Sequence, residues 1–255
     1  MTTTLQVGRL LFRWRSITPV PVIAAILALL WFQRDHLASG RLELLLALNM
    51  AGLLLAIAGQ ALRAWVLGQV PEGTSGQGNT LEASTLNTTG PYARVRNPLY
   101  VGNLLIVVGL LLMTQSLGAA CLALVFFFGQ YHFIIRAEEQ FLRERFPERF
   151  EAFYRKVPRW LPRLKPATDL PLSHRFDWRR SLRKEHNPFT AWMSGAILLA
   201  GWQLWMRDAA GFSDVLPGLV AAEAALLSFF LIVKGWKRGW LARASAREAK
   251  TGEAV

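Results

Sequence analysis

The sequence contains little cysteine, few acidic side chains and few charges of any kind. Cys121 is the one cysteine among 255 residues, so no disulfide can form within the chain. Charged residues make up 18% of the sequence and apolar residues 53%, and the mean hydropathy is positive. This balance is unusual for a soluble domain and ordinary for a helical bundle in lipid. We therefore predict an all-α, polytopic helical membrane protein.

Six apolar runs approach the length of about 20 residues that a helix needs to cross about 30 Å of hydrocarbon. They cover residues 17–32, 44–67, 99–114, 117–135, 189–206 and 215–233. The runs are continuous rather than alternating, which predicts helices and excludes a β-barrel. We expect four segments: N-terminal transmembrane helices (1–69), a core of loop, hairpin and cytoplasmic helices (70–165), a basic cytoplasmic connection (166–188), and a C-terminal transmembrane pair with a basic tail (189–255).

The scarcity of acidic residues leaves 29 Lys and Arg against 17 Asp and Glu, a formal charge of +12. If both termini are cytoplasmic, the outer connections hold only Arg34, Arg41 and Arg207. This asymmetry is the positive-inside pattern, so we predict a multi-pass protein with both termini in the cytoplasm. Basic residues flank apolar spans and no nucleic-acid module is visible, so anionic membrane lipids are the expected partner, and nucleic acid is not.

Two predicted spans, 99–114 and 117–135, are separated only by Gln115 and Ser116. So short a link allows only a tight antiparallel hairpin whose two ends open on the same face. The hairpin therefore brings together polar residues from its two flanks: Arg96, Asn97, Tyr100, Arg136 and Glu139.

Polar segments adjoin this hairpin on both sides. Residues 71–90 are rich in Gly, Ser, Thr and Asn, the composition of a mobile linker or of a loop that closes over a ligand. After the hairpin, Pro147 is expected to begin a second helix that runs to about Tyr154. Its apolar stripe, Phe150, Phe153 and Tyr154, is typical of a helix lying on a membrane surface or of a solvated amphipathic helix.

The order of several motifs is more specific than any one of them. Gly90-Pro91-Tyr92 is followed by Arg96-Asn97-Pro98-Leu99-Tyr100-Val101-Gly102, the apolar hairpin, Arg136-Ala137-Glu138-Glu139, and Phe153-Tyr154-Arg155-Lys156-Val157-Pro158-Arg159-Trp160-Leu161-Pro162. Over residues 90–162 this order resembles the isoprenylcysteine carboxyl methyltransferase superfamily, which includes phospholipid methyltransferases and the catalytic half of sterol reductases. Asn97 stands where that family usually has histidine, and an amide forms hydrogen bonds but has no titrating ring. Pro147 stands where a glycine is frequent.

The resemblance implies an integral membrane methyltransferase that holds S-adenosylmethionine under a cytoplasmic helical cap while a lipophilic or prenylated acceptor enters from the bilayer. The residues it assigns to cofactor binding are Arg96, Asn97, Pro98, Tyr100, Gly102, Glu138 and Glu139. Either carboxylate would accept hydrogen bonds from the ribose hydroxyls or the amino group. No metal site is expected.

Helical spacing separates the roles of residues in the Arg136-Ala137-Glu138-Glu139 motif and just after it. Arg136, Glu139 and Arg143 share one face at i, i+3 and i+7, whereas Glu138 points about 100° away. We therefore favour Glu139 over Glu138, and predict Arg136 and Glu139 as catalytic. Arg136 would grip a carboxylate of the substrate or the cofactor through two parallel hydrogen bonds. The alternative is that Arg96 and Arg136 only mark the positive-inside boundary.

Several activities fit the resemblance. The named family reaction is carboxyl O-methylation of an isoprenylated cysteine, and phospholipid amines or lipid phosphates are further acceptors. A sterol-reductase-like NADPH enzyme and a non-enzymatic scaffold are the alternatives from other classes. The oligomeric state stays open.

Polar residues also occur inside the predicted spans. Single amides such as Asn49, Gln60 and Gln130 are expected to form hydrogen bonds between helices. Glu223 is a potential charge inside the last span, and the sequence assigns it no role.

Overall fold

The computed structural model describes residues 3–71, 81–167 and 175–252, with side chains as far as residue 239. Regular structure within these ranges is helical, which confirms the all-α prediction. The helices are α1 (Thr3–Trp14), α2 (Val20–Phe32), α3 (Arg34–Ser39), α4 (Leu42–Gln69), a 3-10 turn (Gly90–Ala93), α5 (Pro98–Thr114), α6 (Leu117–Arg145), α7 (Pro147–Lys156), α8 (Trp178–Arg207) and α9 (Phe212–Gly252).

The chain forms two compact units, one ending at Asp177 and one beginning at Trp178. Among the described residues, three helices are long and apolar enough to cross a bilayer: Leu42–Gln69, Leu117–Arg145 and Phe212–Gly239. Val20–Phe32 and Pro98–Thr114 are apolar but shorter. The protein is therefore a membrane protein, whereas the prediction of six spans and the four-segment division stay predictions.

The α5–α6 hairpin turns where the sequence predicted it. Gln115 adopts a left-handed conformation with φ of 54°, which ends α5, and the Ser116 side chain accepts a hydrogen bond of 3.2 Å from the Ala119 N–H. A serine cap satisfies one of the free N–H groups at a helix start. Two residues thus reverse the chain and set the two polar flanks at one end.

Glycines bring α4 and α5 into backbone contact. A Cβ on Gly59 would lie 2.6 Å from the carbonyl oxygen of Gly102, and Gly52 faces Gly109 in the same way two turns farther along. Helices in lipid associate through such close packing, because lipid tails provide no hydrophobic driving force. Gly102 therefore lies against α4.

The N-terminal helix α1 packs against α6. Gly8 adjoins the Phe133 carbonyl and the Ala137 side chain, and Thr18 in the following turn donates a hydrogen bond of 2.7 Å to the Gln130 side chain. This packing places the α1–α2 turn beside α6.

The apolar face of α7 differs from the prediction of a helix lying on the membrane. Phe150 is 1% exposed, and it packs with Phe153, Val157 and Leu86 in a small core of the chain itself. Leu86 belongs to the described end of the segment predicted as a linker or lid, while residues 72–80 lie outside the described residues.

Candidate functional site

The site begins with two irregular segments, one before α5 and one after α7, that run side by side. Prolines at positions 91, 98, 158 and 162 disfavour helix in the residues before them, so their backbone groups are available for other partners. Three backbone N–H groups donate across the pair: Arg96 to Pro158 (2.9 Å), Arg163 to Arg94 (3.0 Å) and Ala167 to Ala93 (2.7 Å). The residues after α7 are thereby held at the open end of the hairpin.

This pairing places the Glu139 carboxylate between two guanidinium groups. Arg159 contacts both carboxylate oxygens, Nη2 to Oε2 at 2.5 Å and Nε to Oε1 at 3.2 Å, and Arg96 Nη2 lies 3.3 Å from Oε1. The side chains of Arg96 and Glu139 are each 10% exposed. A fork of this kind is among the strong charge-assisted contacts. Two cations thus face one anion, so the trio carries a net positive charge.

The other two nitrogen atoms of the Arg96 guanidinium differ in their hydrogen bonding. Its Nη1 donates to the Tyr154 carbonyl at 2.9 Å, and the guanidinium lies 4.0 Å from the centre of the Tyr154 ring. Its Nε is buried and has no hydrogen-bond partner among the described residues. A buried donor without an acceptor is costly, which makes this atom a point where an anionic ligand group would fit.

Glu138 faces a different set of residues. The Tyr100 hydroxyl donates to its Oε1 at 2.9 Å, and the Arg15 guanidinium in the α1–α2 turn interacts with it electrostatically. Burial and the nearby Glu138 carboxylate raise the pKa of Tyr92, in the 3-10 turn before α5. The end of α6 therefore presents two carboxylates in separate surroundings.

The other predicted site residues divide into two groups. Asn97 donates from its side-chain amide to the Arg159 carbonyl at 3.2 Å, and Pro98 is the buried first residue of α5. Gly102 faces Gly59 and the Arg63 side chain of α4. Arg136 is exposed. The structure thus gathers Arg96, Asn97, Tyr100, Glu138 and Glu139, with Gly102 and Arg136 outside their direct contacts.

Three contributors were not among the residues that the sequence predicted for the site. Arg159 and Tyr154 stand in the last quoted motif, but their partners come from α6 and the segment before α5. Arg15 lies outside the residues that carry the resemblance. The sequence carried a signal for Arg159. It is a basic residue between two prolines, which disfavour helix, so it is expected in an irregular segment where its side chain can bind a partner from another element.

An aromatic wall continues from the polar residues along the hairpin. The rings of Tyr100 and Tyr131 are 4.4 Å apart, Tyr131 and Phe127 are also 4.4 Å apart, and Trp160 lies 6.4 Å from Tyr131. The Tyr131 hydroxyl accepts from Asn103 at 2.8 Å, so its polar end is satisfied. An apolar surface therefore joins the charged cluster at Tyr100.

A family of known proteins matches part of this chain. Residues 48–149 match the model of the family described as phospholipid methyltransferase, part of the isoprenylcysteine and phospholipid methyltransferase superfamily. The resemblance predicted from the motifs is therefore confirmed, and the match supports a membrane methyltransferase.

Two curated relatives carry names from metal resistance. The cobalt-zinc-cadmium resistance protein CzcN of Cupriavidus metallidurans is 41% identical over 121 residues, 48% of this chain and 50% of the relative. The nickel-cobalt-cadmium resistance protein NccN of Alcaligenes xylosoxydans xylosoxydans is 34% identical over 151 residues, 59% of this chain and 63% of the relative. The chain thus spans between half and two thirds of the length of these relatives. No solved structure matches the chain.

Proposed function

We propose that this chain, whose residues 48–149 belong to the phospholipid methyltransferase family, transfers a methyl group from S-adenosylmethionine to a lipophilic acceptor in the membrane. The observation that carries the proposal is the trio of Arg96, Glu139 and Arg159 beside the Tyr100–Glu138 pair. It lies at the open end of an apolar hairpin, where a polar cofactor and a lipid can meet.

The residues present suit S-adenosylmethionine, which when bound supplies a methyl group activated by a sulfonium. Its carboxylate matches the surplus positive charge of the trio and the unpartnered Nε of Arg96. Glu138 offers the carboxylate oxygen that Tyr100 does not engage for the amino group or the ribose hydroxyls. The Tyr100–Tyr131 ring pair gives the cation an aromatic surface.

The chain's own residues would act by position and by exclusion of water. Methyl transfer is an in-line displacement: an acceptor oxygen or nitrogen forms a bond to the methyl carbon as the carbon–sulfur bond breaks. Its rate depends on holding the two groups in line in a dry site. Tyr100 and Arg159 each orient a carboxylate, and Trp160 and Phe127 shield the site from water.

We propose carboxyl O-methylation, of the isoprenylcysteine type, as the acceptor chemistry. A carboxylate is already ionised, so it needs no base before it attacks, whereas a phospholipid amine must first lose a proton. Asn97 cannot act as that base, because an amide does not titrate. Arg136, exposed at the end of the apolar part of α6, is the residue we propose for the acceptor carboxylate, and Glu139 is the one that fixes Arg96 and Arg159.

Phospholipid amines and lipid phosphates are the second class of acceptor, favoured by the family that matches. A sterol-reductase-like enzyme would instead bind NADPH. These alternatives predict different ligands, which makes them separable by experiment.

We further propose a multi-pass arrangement with both termini in the cytoplasm, where the basic residues face anionic lipid headgroups. The charge distribution of the sequence supports it. The acceptor would then reach the site from the inner leaflet.

Binding of S-adenosylmethionine tests the proposal. Titration calorimetry on the purified full chain in detergent should detect S-adenosylmethionine but not NADPH, and Glu139→Gln should abolish the signal. Glu151→Gln is the matched control, because Glu151 forms an ion pair with Arg143 whose side chains are about 40% exposed. Preferential binding of NADPH, or equal affinity in both variants, would refute the assignment.

A physiological role follows from the names of the relatives. We propose that methylation by this chain contributes to tolerance of cobalt, zinc, cadmium or nickel. Expression in a sensitive bacterial host should raise the tolerated concentration, and Glu139→Gln should remove the gain. Retained tolerance in that variant would separate resistance from methyl transfer.

A further inference from the structure

The second unit contains a row of buried and half-buried polar side chains along an apolar helix pair. His186, Thr190 and Ser194 follow one another at four-residue intervals along α8, so they share one side of the helix. The Ser194 hydroxyl donates to Glu223 Oε1 on α9. At 1.5 Å per residue, the row extends about 12 Å along the helix axis.

Three atoms in this row are buried without a hydrogen-bond partner among the described residues: His186 Nδ1, Thr190 Oγ1 and Glu223 Oε2. His186 is only 3% exposed. Buried polar atoms without a partner are rare, because each one costs free energy. Here there are three, two on α8 and one on α9. Buried polar atoms that lack a protein partner are commonly satisfied by ordered water, which needs two to four polar partners.

The carboxyl at the end of the row is deep in the apolar stretch. Glu223 lies near the middle of Phe212–Gly239, the most apolar of the three long helices, about 16 Å from its first residue. A carboxylate at such a depth is expensive, and carboxyls found there in membrane proteins commonly serve proton or ion pathways. The other end of the row is near the polar start of α8, where Arg179, Arg183 and Lys184 occur.

We propose that this row holds a file of water molecules that carries protons between the polar end of α8 and Glu223, so that Glu223 binds and releases a proton inside the membrane. The ligand is thus the proton. The Glu223 carboxylate becomes a carboxylic acid when it takes up the proton, and it returns the proton along the same file. Nothing in the methyltransferase proposal uses these residues.

Few charged groups adjoin the file within the helix pair. On α8, Glu185 precedes His186 and is buried. On α9, Lys234 Nζ lies 5.0 Å from the centre of the Phe230 ring, and the His186 ring lies 5.8 Å from the same ring. Arg183 and Lys184 are the charged residues that precede Glu185 in sequence. The described partner of Glu223 is the Ser194 hydroxyl.

Infrared spectroscopy of the full chain in nanodiscs tests the file directly. The carbonyl band of a protonated Glu223 is identified by its loss in Glu223→Gln, and its shift after transfer from H2O to D2O reports proton access. Thr190→Val interrupts the file and should slow the shift about tenfold or more, because one hydrogen-bonding station is lost. His186→Phe should act likewise.

Two variants make the result specific. Thr190→Ser restores the hydroxyl and should exchange as fast as the unaltered chain, which excludes misfolding as the cause. Ser228→Ala removes an exposed hydroxyl of α9 that donates to the Ala224 carbonyl and should have no effect. The absence of a Glu223-dependent acid band at every pH at which the protein stays folded would overturn the proposal. So would equal exchange rates in Thr190→Val and the unaltered chain.

Discussion

At the scale of single residues, Glu139 is held by two guanidinium groups, one from the segment before α5 and one from the segment after α7. Both Arg96 and Glu139 are nearly buried, so each depends on the other for charge compensation. An isolated buried charge costs several kcal/mol, whereas an exposed pair contributes little. The same contacts that shape the site therefore stabilise the fold around it.

Removing the Glu139 charge should destabilise the protein. Glu139→Gln leaves two partly buried guanidinium groups facing a neutral amide, and we expect a loss of about 3 kcal/mol in the free energy of unfolding. Glu151→Gln should cost less than about 1 kcal/mol, because its partner Arg143 is exposed to solvent. Denaturant unfolding in detergent, followed by circular dichroism, measures both. Equal losses would show that Glu139 is not the centre of a buried network.

Cofactor affinity should distinguish Arg96 from Arg94. Arg96→Ala removes the unpartnered Nε and a contact to Glu139, so S-adenosylmethionine binding should weaken by about 100-fold, as expected for a lost charge-assisted contact. Arg94 donates to the Arg163 and Leu164 carbonyls, and Arg94→Ala should weaken binding only slightly. Titration calorimetry decides between them. A larger effect of Arg94→Ala would contradict the assignment.

Sequence reasoning identified part of this site. The two-residue turn predicted that Arg96, Asn97, Tyr100, Arg136 and Glu139 lie at one end of the hairpin. Arg136 is exposed instead of joining the buried contacts around Glu139. Arg159 was missed, because its contact depends on the chain after α7 pairing with the segment before α5. Such pairing between segments about 60 residues apart leaves no periodic pattern in the sequence.

At the scale of elements, the sequence predicted the hairpin turn and the amphipathic face of α7 more reliably than the residues that these elements contact. The turn at Gln115 and Ser116 was fixed by its length alone. The amphipathic stripe of α7 indicated that one face is covered, but hydrophobic periodicity cannot tell a lipid surface from Leu86. Helix α1 was not predicted, since Arg9 and Arg13 interrupt its apolar residues.

Contact between α4 and α5 should depend on the absence of side chains at their crossing points. A Cβ on Gly109 would lie 2.8 Å from the Ala56 backbone nitrogen, so Gly109→Ala forces the two helices apart at a cost of about 1–3 kcal/mol. Gly129→Ala on α6 is the control, because nothing lies within 4 Å of a Cβ there. Thermal unfolding in detergent should show a lower midpoint for Gly109→Ala alone. Equal unfolding midpoints for Gly109→Ala and Gly129→Ala would show that α4 and α5 do not depend on close contact at Gly109.

At the scale of the whole molecule, composition and charge were sufficient for the class of protein but not for the number of spans. Length and hydropathy select three helices in the described part of the chain, while α2 and α5 are too short to be assigned by these criteria. Short helices cross a bilayer only where the bilayer thins locally or where neighbouring helices support them. Neither condition can be read from the sequence.

Reporter fusions test the arrangement in the membrane. Alkaline phosphatase is active only outside the cytoplasm, so fusions at either terminus should be inactive there, whereas fusions after Arg34 or Arg207 should be active. The excess of Lys and Arg on the proposed inner side is the reason for this expectation. Activity at either terminus would require an odd number of crossings or the opposite orientation.

Methyl transfer itself is the most direct measurement of the central claim. Membranes containing the full chain, incubated with S-adenosylmethionine labelled in the methyl group, should move label into the organic phase of a lipid extract. Base treatment should then release that label as methanol, since a methyl ester is cleaved whereas an N-methyl group is not. Label transfer that disappears in Glu139→Gln but persists in Glu151→Gln is the predicted result. No transfer to any lipid fraction, or equal transfer in Glu139→Gln, would contradict the account.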